Sequence, residues 1–245
     1  MKKIIIISLL LYLGVIFNAA AQSSYIGFSL GTSIPGASFA SGEDLFSDGY
    51  AISGFTVDFE GYYYPVRIVG VGGMIGFSSL YAGRDAYLEQ LLDYAYNESD
   101  IPLTGSPPEN EQLNFESGFW NYINLLIGPE LSVPFGRFQA GIRAAAGIST
   151  VFYPERDLNY EDGSDQLTAF AKGPSLALAY SYGGSLLYRS RGGTGIKLNA
   201  DYLKTSASYD FELELQSGTE TFKESRTERV DIEALSITLG FYYVF

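Results

Sequence analysis

The sequence predicts an all-β chain: an antiparallel up-and-down transmembrane β-barrel of eight strands, preceded by a cleaved signal peptide. Three observations lead there. An export-type leader opens the chain, and its final stretch, residues 234–245, alternates apolar with small or polar side chains. Between them, alternating segments are joined by short turns and long acidic loops in strict succession. A period of two marks a strand with one apolar face. A closed barrel is the β-architecture that satisfies every backbone group in a bilayer.

The leader comes first. Lys2 and Lys3 form a basic start, residues 4–17 are apolar apart from Ser8 and Gly14, and Ala19-Ala20-Ala21 offers a small-residue cleavage site before Gln22. The apolar core is too short for a comfortable helical span. The expected organisation is a signal peptide over 1–21 and one barrel domain over 22–245. The chain has no cysteine. Lipidation of an amino-terminal cysteine and disulfide staples are therefore both excluded.

The strands follow in order. Residues 25–34 set Ile26, Phe28 and Leu30 against Gly27, Ser29 and Gly31. Residues 52–63 set Phe55, Val57 and Phe59 against Thr56, Asp58 and Glu60. A turn at Pro65 leads to 66–81, with Val71, Ile75 and Phe77 against Gly72, Met74 and Gly76. Residues 119–133 set Ile123, Leu125, Ile127 and Leu131 against Asn124, Gly128, Glu130 and Ser132. After Pro134-Phe135-Gly136, residues 137–153 set Phe138, Ile142 and Ile148 against Gln139, Gly141 and Arg143. A sixth strand lies within 168–188, its register open around Gly183-Gly184. Past a turn at 189–193, a seventh starts at Thr194, with Lys197, Asn199 and Asp201 on its polar face. The eighth ends at Phe245.

Short turns therefore alternate with long connections near 35–50, 82–118, 154–167 and 204–228. Transmembrane barrels have short turns on one side and long loops on the other, with an even strand number. Within the second long loop, Tyr87, Leu88, Leu91, Leu92 and Ala95 recur at helical spacing and predict a short amphipathic helix over 84–96.

Removing Lys2 and Lys3 leaves 13 basic against 28 acidic residues, a net −15. That balance argues against nucleic acid as a partner. Without histidine or cysteine, zinc sites, Ser-His-Asp triads and Cys-His dyads are absent, and no cofactor is expected. Asp157, Asn159, Glu161 and the run 162–165 hint at a calcium loop, but Asp162 stands where such a loop needs glycine. The polar strand faces are more informative. Asp58, Glu60, Glu130, Arg143, Lys197 and Asp201 all point away from the apolar face, into what would be the lumen. Buried charges must pair, and the spacing puts Glu130 diagonal to Arg143 across one hairpin. These six charges form either an ion-pair plug, the expected reading, or the lining of a gated channel. Aromatics near the short turns, Tyr62, Tyr63, Tyr64, Phe135, Phe138, Phe241, Tyr243 and Phe245, are expected to form an interface girdle.

The chain's ending, with Thr238, Gly240, Tyr243 and Phe245 in that order, resembles the carboxy-terminal assembly signal of bacterial outer-membrane barrels. The whole mature chain resembles the small barrels of the OmpA-, OmpX- and OmpW-like kind, the "outer membrane protein beta-barrel domain" proteins. That resemblance implies the outer membrane of a Gram-negative bacterium, with outer-membrane lipids and the barrel-assembly machinery as partners. It implies a structural or surface-interaction role through acidic external loops, facing an extracellular ligand it does not name. Porin-like passive transport of a small or greasy solute is the alternative. A lipid-modifying enzyme ranks third, because the barrel enzymes of that kind use histidine.

Overall fold

The computed structural model describes residues 24–98, 114–162, 165–172, 174–217 and 220–245. The leader, with Ala19 and Ala21, lies outside them. Eleven strands form in order: β1 (Tyr25–Pro35), β2 (Ala51–Val66), β3 (Val69–Ala82), β4 (Asn114–Ser117), β5 (Phe119–Phe135), β6 (Phe138–Phe152), β7 (Arg156–Asp162), β8 (Asp165–Lys172), β9 (Pro174–Arg189), β10 (Thr194–Ser217) and β11 (Glu220–Val244). Helix α1 (Ala37–Ala40) follows β1, and α2 (Arg84–Asp93) follows β3. Eight strands close a ring in the order β1-β2-β3-β5-β6-β9-β10-β11, since β11 pairs with both β10 and β1. Every pairing is antiparallel.

Alternation decides what faces where. On β5, Ile123, Leu125, Ile127 and Leu131 stand outside, while Tyr122, Asn124, Leu126 and Glu130 are buried within the ring. The outer face is apolar all round, from Phe28 and Leu30 on β1 to Leu239 and Phe241 on β11. Such a face cannot stay in water, and a closed ring leaves no unpaired edge for lipid to meet. No helix among the described residues is long and apolar enough to cross a membrane; the strands cross it. The chain is a β-barrel of the outer-membrane type.

The short turns sit together at one end. Gly136, with φ of +64°, makes the tight link from β5 to β6, and Gly193, with φ of +76°, closes the turn into β10. Pro65 is not a turn: it lies within β2, beside a bulge between Tyr63 and Val66, and the chain reverses at Arg67 and Ile68. The open register near Gly183-Gly184 resolves with Gly183 opposite both Arg143 and Asp201.

At the other end the structure departs from the loops expected near 154–167 and 204–228. β10 and β11 run on as a single hairpin, paired from Thr194–Tyr243 out to Ser217–Glu220. β8, β7 and β4 add to its side, so the same sheet continues beyond the ring in the order β11-β10-β8-β7-β4. In the sequence the acids over 212–231 suggest a loop. Beneath them, however, Ala207, Tyr209, Phe211, Leu213, Val230 and Ile232 are buried at a period of two. An acid-out, apolar-in pattern is what a half-buried strand requires in water. Of the run considered for calcium, Asp157, Asn159, Glu161 and Asp162 lie on β7 and Asp165 on β8, the two strands pairing antiparallel, while Gly163 and Ser164 lie outside the described residues. No group of residues suited to a metal ion is found among the described residues.

Candidate functional site: the sealed lumen and its cap

The lumen is filled in layers. At the short-turn end, Tyr25, Tyr62, Tyr64, Leu187 and Tyr242 pack as a floor, with Tyr25 lying 5.6 Å from Tyr62 and 5.5 Å from Tyr242 between ring centroids. Tyr62 and Tyr64 therefore belong to the lumen and not to the girdle expected of them. Tyr63, Phe135, Phe138, Phe241, Tyr243 and Phe245 do face outward at that end.

Above the floor sit the six charges, all buried. Glu60 is their hub. It accepts hydrogen bonds from Arg143 Nη1, from Lys197 Nζ at 2.9 Å and from the Tyr242 hydroxyl at 2.5 Å. Arg143 forks onto Asp201, donating from Nε at 2.7 Å and from Nη2 at 2.5 Å. Lys197 also donates to the Tyr25 hydroxyl at 2.5 Å and lies 4.2 Å from that ring's centroid. Asn199 ties Glu60, Thr238 and Tyr242 together.

Glu130 does not pair with Arg143. The two stand directly opposite in register, not diagonally, yet Glu130 accepts from the Tyr25 hydroxyl and from Ser185, and lies 4.0 Å from Lys197. An arginine is long relative to the radius of an eight-stranded lumen. Arg143 therefore reaches across the ring to β2 and β10 and leaves its neighbour on β5 to others. Asp58 shares the layer and faces Gly76. Three glycines make room for three acids. A Cβ at Gly183 would collide with the Asp201 carboxylate, one at Gly141 with that of Glu130, and one at Gly76 with that of Asp58.

Of the assembly-signal residues, Thr238 is buried in the lumen, Gly240 lies tight against the backbone of β1, and Tyr243 and Phe245 face outward.

The far end is closed by a cap to which the sequence alone gives no place. Phe39 of α1, Tyr87, Leu88, Leu91 and Leu92 of α2, Phe115 of β4, Trp120 and Tyr153 form one apolar cluster in the mouth. The predicted helix exists and turns its apolar side into this cluster. Arg156 is buried at its centre. Its guanidinium lies 3.7 Å from the Tyr87 ring centroid, and it donates to the Tyr153 hydroxyl at 3.0 Å and to the Gly49 carbonyl at 3.2 Å. The Trp120 indole donates to the same carbonyl at 2.8 Å. One side chain thus ties β7, the first long connection, α2 and the end of β6. In that first connection, backbone N–H groups of Phe46 and Ser47 hold the Asp44 carboxyl below its ordinary value.

Arg156→Ala is expected to loosen the cap without unfolding the barrel. Limited proteolysis of the variant should gain cleavages in the long connections, while its heat-dependent gel shift persists. An unchanged digestion pattern would show that the clamp holds nothing.

No family model matches this chain, and no curated protein matches it either. Solved structures that resemble it are barrels. A major outer membrane protein from Thermus thermophilus is 15% identical, with 90% of this chain and 99% of that one covered and a TM-score of 0.44. The outer membrane protease OmpT from Escherichia coli is 11% identical, with 94% and 100% covered and a TM-score of 0.44. Ail, the attachment invasion locus protein of Yersinia pestis, is 11% identical, with 90% and 97% covered and a TM-score of 0.35.

Proposed function

We propose that this barrel is a sealed anchor in the bacterial outer membrane that holds a structured cap and a protruding sheet outside the cell. The observation that carries the reading is the Glu60–Arg143–Asp201–Lys197 network, which fills the lumen between an aromatic floor and an apolar cap. The long connections lie at the end opposite the short turns, the side that faces outward in such barrels. Binding surfaces tend to sit on connections held by a rigid scaffold. Here the acidic outer faces of β10 and β11 would meet an external partner.

Conductance tests this reading. Purified protein in planar bilayers should show no steady open-channel current. A large, steady, cation-selective current from the unmodified protein would sink it and favour transport.

A second reading has one specific observation behind it. The β9–β10 ladder ends at Tyr180 and Lys204. Beyond it lies a lateral groove of about 610 Å³, lined by Leu176, Leu178 and Tyr180 together with the charged Lys204, Arg229 and Asp231 and several serines. A solute with an apolar body and a polar end would fit there and enter from the lipid without crossing the plug. Uptake of a hydrophobic dye into vesicles, lost on filling the groove with Ala177→Trp, would support that route; equal uptake by both forms would remove it.

The ending at Tyr243 and Phe245 is proposed to serve the insertion machinery. Substituting Phe245 with alanine should slow assembly in cells, and unaltered assembly would argue against that role.

A further inference from the structure

Above the lipid-facing belt, one edge of β11 has no strand beside it among the described residues. β1 leaves β11 at the Pro35–Ala234 pair, and Gly36 then donates to the Glu233 carbonyl at 2.9 Å. Farther out, among the described residues, no strand pairs with this edge from Thr221 to Ile232, while β10 covers the other edge. At the base α1 turns inward and carries Phe39 against Trp120. A row of unpaired N–H and C=O groups is a template for another strand. We propose that this edge pairs, antiparallel, with the same edge of a second copy standing in an apposed outer membrane. The inference rests on the surface reading above.

Backbone geometry limits the registers. The N–H and C=O of one residue point to the same side of a strand, and the side alternates along it. The Glu233 carbonyl points to the β1 side, so odd-numbered residues from 221 to 231 do too. Two such edges meet only when odd faces odd, which centres each allowed register on a single residue. Charge then selects among them. Centred on Thr227, Lys223 faces Asp231, Arg226 faces Glu228, and Phe222 faces Ile232; no like charges meet. These pairs add to the ones each charge makes within its own chain, Lys223 with Glu212, Arg226 with Glu228 and Asp231 with Arg229. Centred on Arg226, Lys223 would face Arg229 and Glu224 would face Glu228. Centring on Glu228 sets that acid against itself, and centring on Ser225 keeps only Glu224 against Arg226. Charges on an edge usually repel a partner strand. Here they repel it in the registers centred on Arg226 and Glu228, and the added Lys223–Asp231 pairs favour the Thr227 register over the Ser225 one.

Direction fixes where the partner stands. β11 runs from the outer tip down to the short-turn end. An antiparallel partner runs the other way, so its barrel lies beyond the opposite end of the shared sheet. Two copies in one bilayer point the same way and cannot make this contact. The pairing joins two membranes.

The chain has no cysteine, which makes a cross-linking test clean. In the Thr227 register the two copies of that residue form a hydrogen-bonded pair, with Cα atoms ~5.5 Å apart, inside the range a disulfide spans. Ser225 faces Arg229, so its two copies lie roughly 13 Å apart and are out of reach. The full chain in detergent micelles, carrying Thr227→Cys, should form a disulfide-linked dimer on mild oxidation; with Ser225→Cys it should not. Vesicles bearing the unmodified protein, loops outward, should cluster. Lys223→Asp should abolish clustering, and Lys223→Asp with Asp231→Lys should restore it. Equal cross-linking at both positions, none at Thr227, or clustering indifferent to the charge swap would overturn the proposal. Conductance is read separately, so failure of the pairing leaves the sealed-lumen reading standing, and failure of the seal does not touch the cross-link.

Discussion

Replacing Arg143 with alanine is expected to cost the barrel about 3–5 kcal/mol of stability, the usual penalty for leaving buried charges without their partner. Asp201 loses both hydrogen bonds that Arg143 donates to it, and Glu60 loses one of its two cationic neighbours. Urea titration of the folded protein in lipid vesicles measures the loss. The partner assignment is tested by two cycles. Glu60→Gln with Arg143→Gln should show a coupling on the order of 0.5–3 kcal/mol, as touching groups do. The cycle of Glu130 with Arg143 should show a smaller coupling, since Glu130 is held by Tyr25 and Ser185. A larger coupling for Glu130 would mean that Arg143 turns to its cross-strand neighbour in solution.

The second large effect belongs to the outer face. Ile127 is 70% exposed and sits midway along β5, between Gly73 and Ala146. Arginine at the bilayer midplane of a barrel costs about 2–4 kcal/mol, falling to about 0–1 near the interfaces. Ile127→Arg should therefore destabilise strongly, and Val133→Arg, close to the short turn, only slightly. The same titration reads both. Equal losses would move the belt away from the middle of β5. Asn124 is a poorer control, because it is buried in a filled lumen, where an added arginine overpacks.

Much of this was legible in the sequence, for a physical reason. A period of two reports the two faces of a strand directly, so Asp58, Glu60, Glu130, Arg143, Lys197 and Asp201 could be placed on one face without coordinates. Who pairs with whom could not. Arg143 and Glu60 lie on strands that ring closure brings face to face, and a local hairpin register says nothing about reach across a lumen. The outer half of β10 and β11 was lost to an assumption that acids mean loop. Tyr209, Phe211 and Leu213 carried the strand signal there, and the charges beside them masked it. Arg156 stood in another acidic stretch and offered no pattern at all, because its partners come from three separate parts of the chain: the first long connection, α2 and the end of β6.

The glycines beneath the lumen acids have a consequence for descent. Asp201 has room only because Gly183 lacks a side chain, and Glu130 and Asp58 stand in the same relation to Gly141 and Gly76. A mutation that puts a methyl group at any of these positions evicts the acid. One that removes the acid opens a void that a larger neighbour would fill. Each acid and its glycine should thus be inherited as a unit, kept together or lost together along a lineage. In relatives too diverged for overall identity to register, those three paired positions are where common ancestry would still be visible.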